Sequence, residues 1–154
     1  VGELFLMIAF GVLPVCGAAW LQSSIIDLDS VLIAVPVGIW VTLILLINEV
    51  PDRKADGANG KRTLVVRLGV DGARLLYRAA HVVALASIVL LVVRGSLPWW
   101  AAIGGAVLFA GGLKAAAGIR DDAPRAELTK SIEMTIGLQA VGSILLFVAA
   151  LFAH

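Results

Sequence analysis

Five long apolar stretches constrain this chain more than any other feature, because each is long enough to cross a bilayer as a helix. They cover residues 4–21, 31–47, 75–93, 97–113 and 134–153. At about 1.5 Å of rise per residue, a stretch of about 17–20 residues spans roughly 25–30 Å, close to the hydrocarbon thickness of a membrane. The stretches show no amphipathic period, which argues against helices that lie on a surface. The sequence therefore predicts an all-α, polytopic bundle of five spanning helices, forming one membrane domain over residues 1–154.

The composition excludes several other classes of protein. Of the 154 residues, 60% are hydrophobic and 15% are charged, whereas about a quarter of the residues in a soluble domain are charged. The net charge of +1 gives no general attraction for polyanions, so we expect the lipid bilayer and not a nucleic acid as a partner. The single cysteine, Cys16, rules out a disulfide framework.

The distribution of basic residues predicts the orientation of the bundle. Eleven of the 12 Lys and Arg residues lie in or next to the connections that follow the second and fourth stretches, and only Arg94 lies at the opposite end. The positive-inside rule then places residues 48–74 and 114–131 in the cytoplasm. The end that carries Glu3 is predicted to be cytoplasmic and His154 to lie outside, in a bacterial or archaeal cell membrane.

The segment from Asn48 to Gly69 carries the most informative polar pattern. Asn48, Asp52 and Asp56 are spaced four residues apart, so they share one face if the segment is helical. Pro51 would either kink this helix or begin a new one. Carboxylate and amide oxygens suit a hard divalent cation, Mg²⁺ in particular. The spacing therefore favours a magnesium site formed by these three side chains.

A basic cluster follows the carboxylates, and Gly57 and Gly60 would allow the chain to reverse and bring this cluster back toward them. Basic side chains next to a bound metal would neutralise the remaining phosphate oxygens of a lipid diphosphate. The same residues also fit an ordinary solvated connector, in which Asp56 and Lys61 form a weak surface ion pair. The cluster consists of Lys61, Arg62 and Arg67.

The pattern N-x-x-x-D-x-x-x-D followed by G-K-R-T-L-x-V-R-L-G resembles the second aspartate-rich motif of the UbiA superfamily of intramembrane prenyltransferases. The preceding Gly2-Glu3-Leu4-Phe5 and Phe10-Gly11 are similar to the fifth helix of the 1,4-dihydroxy-2-naphthoate prenyltransferase-like branch. The resemblance implies a nine-helix bundle, whose helices five to nine would correspond to the five stretches. It also implies Mg²⁺-dependent transfer of a polyprenyl group from a prenyl diphosphate to an aromatic acceptor, as in menaquinone biosynthesis.

The resemblance assigns roles to individual residues. It implies that Asp52 and Asp56 are the catalytic carboxylates and that they hold Mg²⁺ together with Asn48. For the diphosphate it implies Lys61 and Arg62 first, with Arg67, Arg53 and Lys54 as further candidates.

One part of the family pattern has no match in this sequence. The first motif of the family, N-D-x-x-D-x-x-x-D, is absent, and the other acidic pair, Asp121 and Asp122, has a different spacing. The chain is therefore expected to correspond to the C-terminal half of such an enzyme and to need an N-terminal half for catalysis. The alternative is a non-catalytic, prenyltransferase-like structural subunit of a larger membrane complex. A transporter or channel is disfavoured, because no charged residue lies at mid-span.

Overall fold

The computed structural model describes residues 2–152. Within this range the chain is helical with short connections and contains no strand, which confirms the predicted all-α bundle. Ala153 and His154, where the predicted fifth span ends and an external terminus was predicted, lie outside the described residues. The helices are α1 (Gly2–Ser23), α2 (Leu28–Ala58), α3 (Leu64–Val93), α4 (Trp100–Ala116) and α5 (Arg125–Leu151).

Four of these helices, α1, α2, α3 and α5, are long and apolar enough to cross a membrane, while α4 has 17 residues and is shorter. Large apolar side chains face outward on them. Phe5 is 69% exposed, Leu21 80% and Phe147 66%. Large exposed apolar side chains of this kind are typical of a surface that lipid covers.

The helices α2 to α5 form a ring in which each helix packs against the next and α5 returns to α2, while α1 packs against α2. Large side chains such as Leu46, Tyr77 and Ile88 are fully buried at the centre. Glycine allows the closest approaches, as small residues do between membrane helices. A Cβ atom at Gly142 of α5, for example, would lie only 2.4 Å from the ring of Trp40 in α2.

Residues 48–74, which follow the second apolar stretch, are helical for most of their length. Helix α2 continues through Pro51 to Ala58, and α3 begins at Leu64, so the connection itself is only residues 59–63. Similarly, α5 begins at Arg125 and not near residue 134. The length of an apolar stretch indicates how much of a helix lies in lipid. The helix itself can be longer, because its backbone hydrogen bonds continue into water until a cap or turn ends them.

The start of α3 has such a signal and also a break. The hydroxyl oxygen of Thr63 accepts a hydrogen bond from the backbone nitrogen of Val66 at 3.2 Å, which caps the helix. Gly69 then has φ +70° and ψ 174° and divides α3 into residues 64–68 and 70–93. This left-handed φ suits glycine, and the break lets the first turn of α3 turn away from the rest of the helix.

Candidate functional site

The predicted metal ligands lie on the part of α2 that extends beyond its apolar stretch. Asn48, Asp52 and Asp56 follow one another along this helical extension. The amide nitrogen of Asn48 donates to the carbonyl oxygen of Ile44 at 2.7 Å, so this bond does not use the amide oxygen that a cation would bind. The Asp52 side chain is exposed, and that of Asp56 is 13% exposed. The shared helical face predicted from the spacing is confirmed, with no new helix at Pro51.

The C-terminus of α2 brings Lys61 next to Asp56. The backbone nitrogen of Gly60 donates to Gly57 at 3.1 Å, and that of Lys61 donates to Asp56 at 2.9 Å. These two bonds form a Schellman motif, in which Gly60 has the left-handed φ of +74°. The predicted reversal is therefore present at Gly60, whereas Gly57 lies inside the helix and does not contribute a turn.

The side chain of Lys61 completes this turn. Its Nζ lies 2.7 Å from Oδ1 of Asp56, and the hydrogen bond with this carboxylate raises the pKa of Lys61 above its ordinary value of 10.5. Arg62 and Arg67 are exposed and have no ion-pair partner among residues 2–152. The predicted basic cluster is thus divided, with one cation on a carboxylate and two facing outward.

A cleft of about 460 Å³ lies beside this extension, between α2 and the start of α5. From α2 it is lined by Asp52, Arg53 and Lys54, whereas Asn48 and Asp56 do not line it. From the connection before α5 and its first turn it is lined by Arg120, Asp121 and Arg125. Arg53 forms an ion pair with Asp121 across the cleft. Arg120, Asp121 and Arg125 could not be assigned to this site from sequence, because only tertiary packing brings the last connection to α2.

A second polar group was also missed, where α1 meets the start of α3. Glu3 is 7% exposed, and its Oε1 accepts from the backbone nitrogen of Leu64 at 3.1 Å. The carboxyl group of Glu49 faces Glu3 and residues 63–65, and its Oε2 is buried with no hydrogen-bond partner in the described part of the chain. The sequence signal for this contact was a glutamate beside the apolar stretch of each helix, Glu3 before residue 4 and Glu49 after residue 47.

The donor set of the α2 extension fits Mg²⁺ but does not form a closed site. Among residues 2–152 no three His, Cys, Asp or Glu side chains are grouped so that they could hold a metal ion. Two carboxylates and an amide on one helix therefore leave several coordination positions to other ligands. This suits Mg²⁺, which is commonly held by one or two carboxylates together with waters and substrate phosphates.

An apolar groove of about 260 Å³ runs between α1, α2 and α3, and its α2 residues lie before the extension. Its wall is made almost entirely of aliphatic side chains, and Glu3 and Thr42 are its polar members. The hydroxyl group of Thr42 donates to the carbonyl oxygen of Gly38 at 2.8 Å. The groove can therefore accommodate a hydrocarbon chain, with its polar end near Glu3.

Comparison with known proteins agrees with the motif. The chain is 35% identical over 99 residues to a 1,4-dihydroxy-2-naphthoate octaprenyltransferase of Bacillus subtilis, covering 64% of this chain and 32% of that protein. It is 40% identical over 73 residues to the protein of the same name in Escherichia coli, covering 47% and 24%. A third relative of this name, from Mycobacterium leprae, is 33% identical over 103 residues, covering 67% and 34%.

The chain thus spans about a third or less of the length of these curated relatives. No solved structure matches it. The family model described as UbiA prenyltransferase family matches residues 1–138, which includes the whole α2 extension and the cleft beside it. Together with its apolar helices, this match shows that the chain is an integral membrane protein and belongs to the UbiA prenyltransferase family.

Proposed function

We propose that this chain supplies the second aspartate-rich motif of a Mg²⁺-dependent enzyme that transfers a polyprenyl group from a prenyl diphosphate to an aromatic acceptor. The family membership supports prenyl transfer, and the names of the relatives point to 1,4-dihydroxy-2-naphthoate as the acceptor, in menaquinone biosynthesis. The observation that carries the proposal is Asp52, an exposed carboxylate that lines a cleft with four basic side chains.

Asn48, Asp52 and Asp56 are the residues that would hold the cation. Bound Mg²⁺ supplies positive charge that stabilises the diphosphate as it leaves the prenyl group. The two carboxylates favour such a cation because they lie one helical turn apart and repel each other without it. Lys61 already offsets this repulsion at Asp56, so a cation is expected near Asp52 first.

The basic side chains act on the same leaving group. As the bond between the allylic carbon and oxygen breaks, negative charge builds up on the diphosphate, and nearby Arg and Lys side chains stabilise it. Arg53 and Lys54 line the cleft. Lys61 is hydrogen-bonded to Asp56, which lies one helical turn beyond Asp52. Arg62 and Arg67, which are exposed on the same connection, are weaker candidates for contact with this anion.

The apolar groove is the proposed binding surface for the prenyl chain of the donor. A prenyl chain has no hydrogen-bonding groups, so it needs an aliphatic surface next to the site that binds its diphosphate. The groove between α1, α2 and α3 offers such a surface along Ile39, Leu43 and Leu46. It lies on the same helix as the aspartates, which would place both ends of the donor along α2.

The proposed orientation keeps the α2 extension in the cytoplasm. At the opposite end of the bundle, the one basic residue, Arg94, is paired with Asp29, whose Oδ1 lies 2.6 Å from its Nε. The basic residues at the other end include several without a partner, which strengthens the charge asymmetry. Labelling of single cysteines placed at residues 26 and 122 of a Cys16→Ala variant in intact cells tests this, with only residue 26 expected to react with an impermeant reagent.

Substitution of the aspartates tests the function. In the complete enzyme, with a prenyl diphosphate and 1,4-dihydroxy-2-naphthoate, we expect Asp52→Asn or Asp56→Asn to lower turnover by about a hundredfold or more, because leaving-group stabilisation is lost. Asp71→Asn is the matched control, since Asp71 is an exposed carboxylate whose partner is Arg74. Unfolding temperatures of all three variants show whether the bundle is intact.

Activity that survives both substitutions would contradict the metal assignment. If the wild-type protein transfers no prenyl group even with an N-terminal half supplied, the alternative of a non-catalytic structural subunit in a larger membrane complex is favoured. The N-terminal half remains part of the proposal, supplied in the same product or by a partner chain.

A further inference from the structure

The cleft beside the α2 extension contains cations that the aspartate-rich motif does not include. One wall is residues 50–54 of α2, and the other is formed by the connection before α5 and by the first turn of that helix. Arg120 and Arg125 belong to this second wall. From sequence, these two arginines only added to the positive charge of a connection predicted to be cytoplasmic. In the fold, they line the same cleft as the carboxylate of Asp52.

The charges in the cleft are not balanced. Its lining includes four cations, Arg53, Lys54, Arg120 and Arg125, but only two carboxylates, Asp52 and Asp121. The formal charge of the lining is therefore +2, which favours an anionic ligand in a partly enclosed space.

Two of the four cations already have partners. Arg53 is paired with Asp121, and Arg120 lies 2.8 Å from Glu127 and 3.4 Å from Asp122. The other two, Lys54 and Arg125, have no ion-pair partner among residues 2–152. They lie on opposite walls, so the unbalanced positive charge faces the cleft from both sides.

A partly exposed ion pair links the two walls of the cleft. Asp121 lies in the short connection between Arg120 and Arg125, and its bond to Arg53 ties that connection to α2. The connection is also closed by a backbone bond from Ala123 to Arg120 at 3.3 Å. Less reorganisation is then needed when a ligand binds between the walls, which favours affinity.

We propose that Arg125 binds the diphosphate of the prenyl donor from the α5 side of the cleft, opposite Lys54. This inference rests on the proposed function and adds a binding residue from the last connection. Arginine suits the role, because its planar guanidinium donates two parallel hydrogen bonds to phosphate oxygens and keeps its charge at any physiological pH. Arg120, held by Glu127, contributes positive charge to the same wall.

Binding of inorganic pyrophosphate with Mg²⁺, measured by calorimetry on the protein in phosphatidylcholine nanodiscs, tests the proposal without turnover. We expect Arg125→Gln to raise the Kd by about five- to tenfold, the effect of losing one charge-assisted contact at a solvated site. Arg125→Lys keeps the charge and should recover most of the affinity. Lys130→Gln is the matched control, because Lys130 is an exposed cation of α5 that does not line the cleft.

The outcomes separate this inference from the proposed function. If Asp52→Asn weakens pyrophosphate binding and Arg125→Gln does not, the role of Arg125 is refuted and the proposed function stands. If neither substitution weakens binding, both are refuted. A second experiment uses nanodiscs that contain phosphatidylglycerol. If Arg125→Gln weakens binding of this lipid but not of pyrophosphate, the cleft is a lipid headgroup site and the assignment to the prenyl donor is overturned.

Discussion

Gly11 offers the sharpest test of how α1 packs. It is buried in a π-helical turn of α1, residues 8–12, where α1 meets α2. A Cβ atom at Gly11 would lie 2.4 Å from Cα and 2.7 Å from N of Gly38, and 3.1 Å from the carbonyl oxygen of Ala34. All three atoms belong to the backbone, so no side chain can move aside. We therefore expect Gly11→Ala to push the two helices apart.

The size of the effect follows from these distances. An ordinary contact between carbon atoms is about 3.5–4.0 Å, so the helices must separate by about 1 Å or more, which forfeits a quarter to a half of the dispersion energy there. Overpacking of this kind costs about 1–3 kcal/mol. The upper end of this range applies because the clashing atoms belong to the backbone. Since Gly→Ala also gains up to about 1 kcal/mol of helix propensity, we expect a net loss of about 2 kcal/mol and a fall in Tm of about 4–8 °C.

Gly17 supplies the control in the same helix, since a Cβ atom there would meet nothing within 4 Å. Thermal unfolding followed by circular dichroism in detergent should show Gly17→Ala at or slightly above the parent Tm and Gly11→Ala well below it. Equal Tm values for the two variants would refute the close approach of α1 to α2. The displacement should also weaken the contact of Glu3 with α3, visible as faster hydrogen exchange at Leu64.

Two further predictions concern hydrogen bonds at other places in the bundle. Tyr77→Phe removes a buried hydroxyl group that lies 2.8 Å from Oγ1 of Thr135, so thermal unfolding should show a loss of about 1 kcal/mol; a variant as stable as the parent would show that this bond has no net value. At the start of α2, a hydrogen bond from the side chain of Ser30 holds the pKa of Asp27 below its ordinary value of 3.8. The lowered pKa means that this stabilisation is fully present above the ordinary pKa of 3.8 and is lost as pH falls through the folded value. Asp27→Asn keeps a good cap and should reduce the acid dependence of unfolding, whereas an unchanged dependence would assign it to other carboxylates.

The apolar helices could be predicted from sequence because a helix in lipid requires a long run of apolar residues. The helix ends could not, since they depend on local bonds in water. The turn at Gly60 ends α2 well beyond the end of its apolar stretch near residue 47. The cap at Thr63 begins α3 well before the start of its apolar stretch near residue 75. A pattern of hydropathy therefore predicts the lipid-covered length of α2 and misses the 11 residues, 48–58, that carry the site.

The two halves of the candidate site differ in the same way. The spacing of Asn48, Asp52 and Asp56 predicts their shared face because an i, i+4 relation is local, and the pair of Lys61 with Asp56 is local as well. The contacts of Arg53 with Asp121 and of Glu3 with Leu64 join residues more than 60 positions apart. Those contacts depend on how the helices pack against one another, and this packing cannot be predicted from any single segment of the sequence.

The helical state of residues 48–58 matters for binding as well as for prediction. In a flexible connection, ordering of each residue around a ligand would cost about 1–2 kcal/mol of conformational entropy. In α2 the backbone is already ordered by the helix and by the Schellman turn at Gly60. Asp52 and Asp56 are then held about 6 Å apart along the helix axis, so the proposed cation and diphosphate would meet a prearranged pair of carboxylates. The continuation of α2 through Pro51 is therefore the structural feature on which the proposed site most depends.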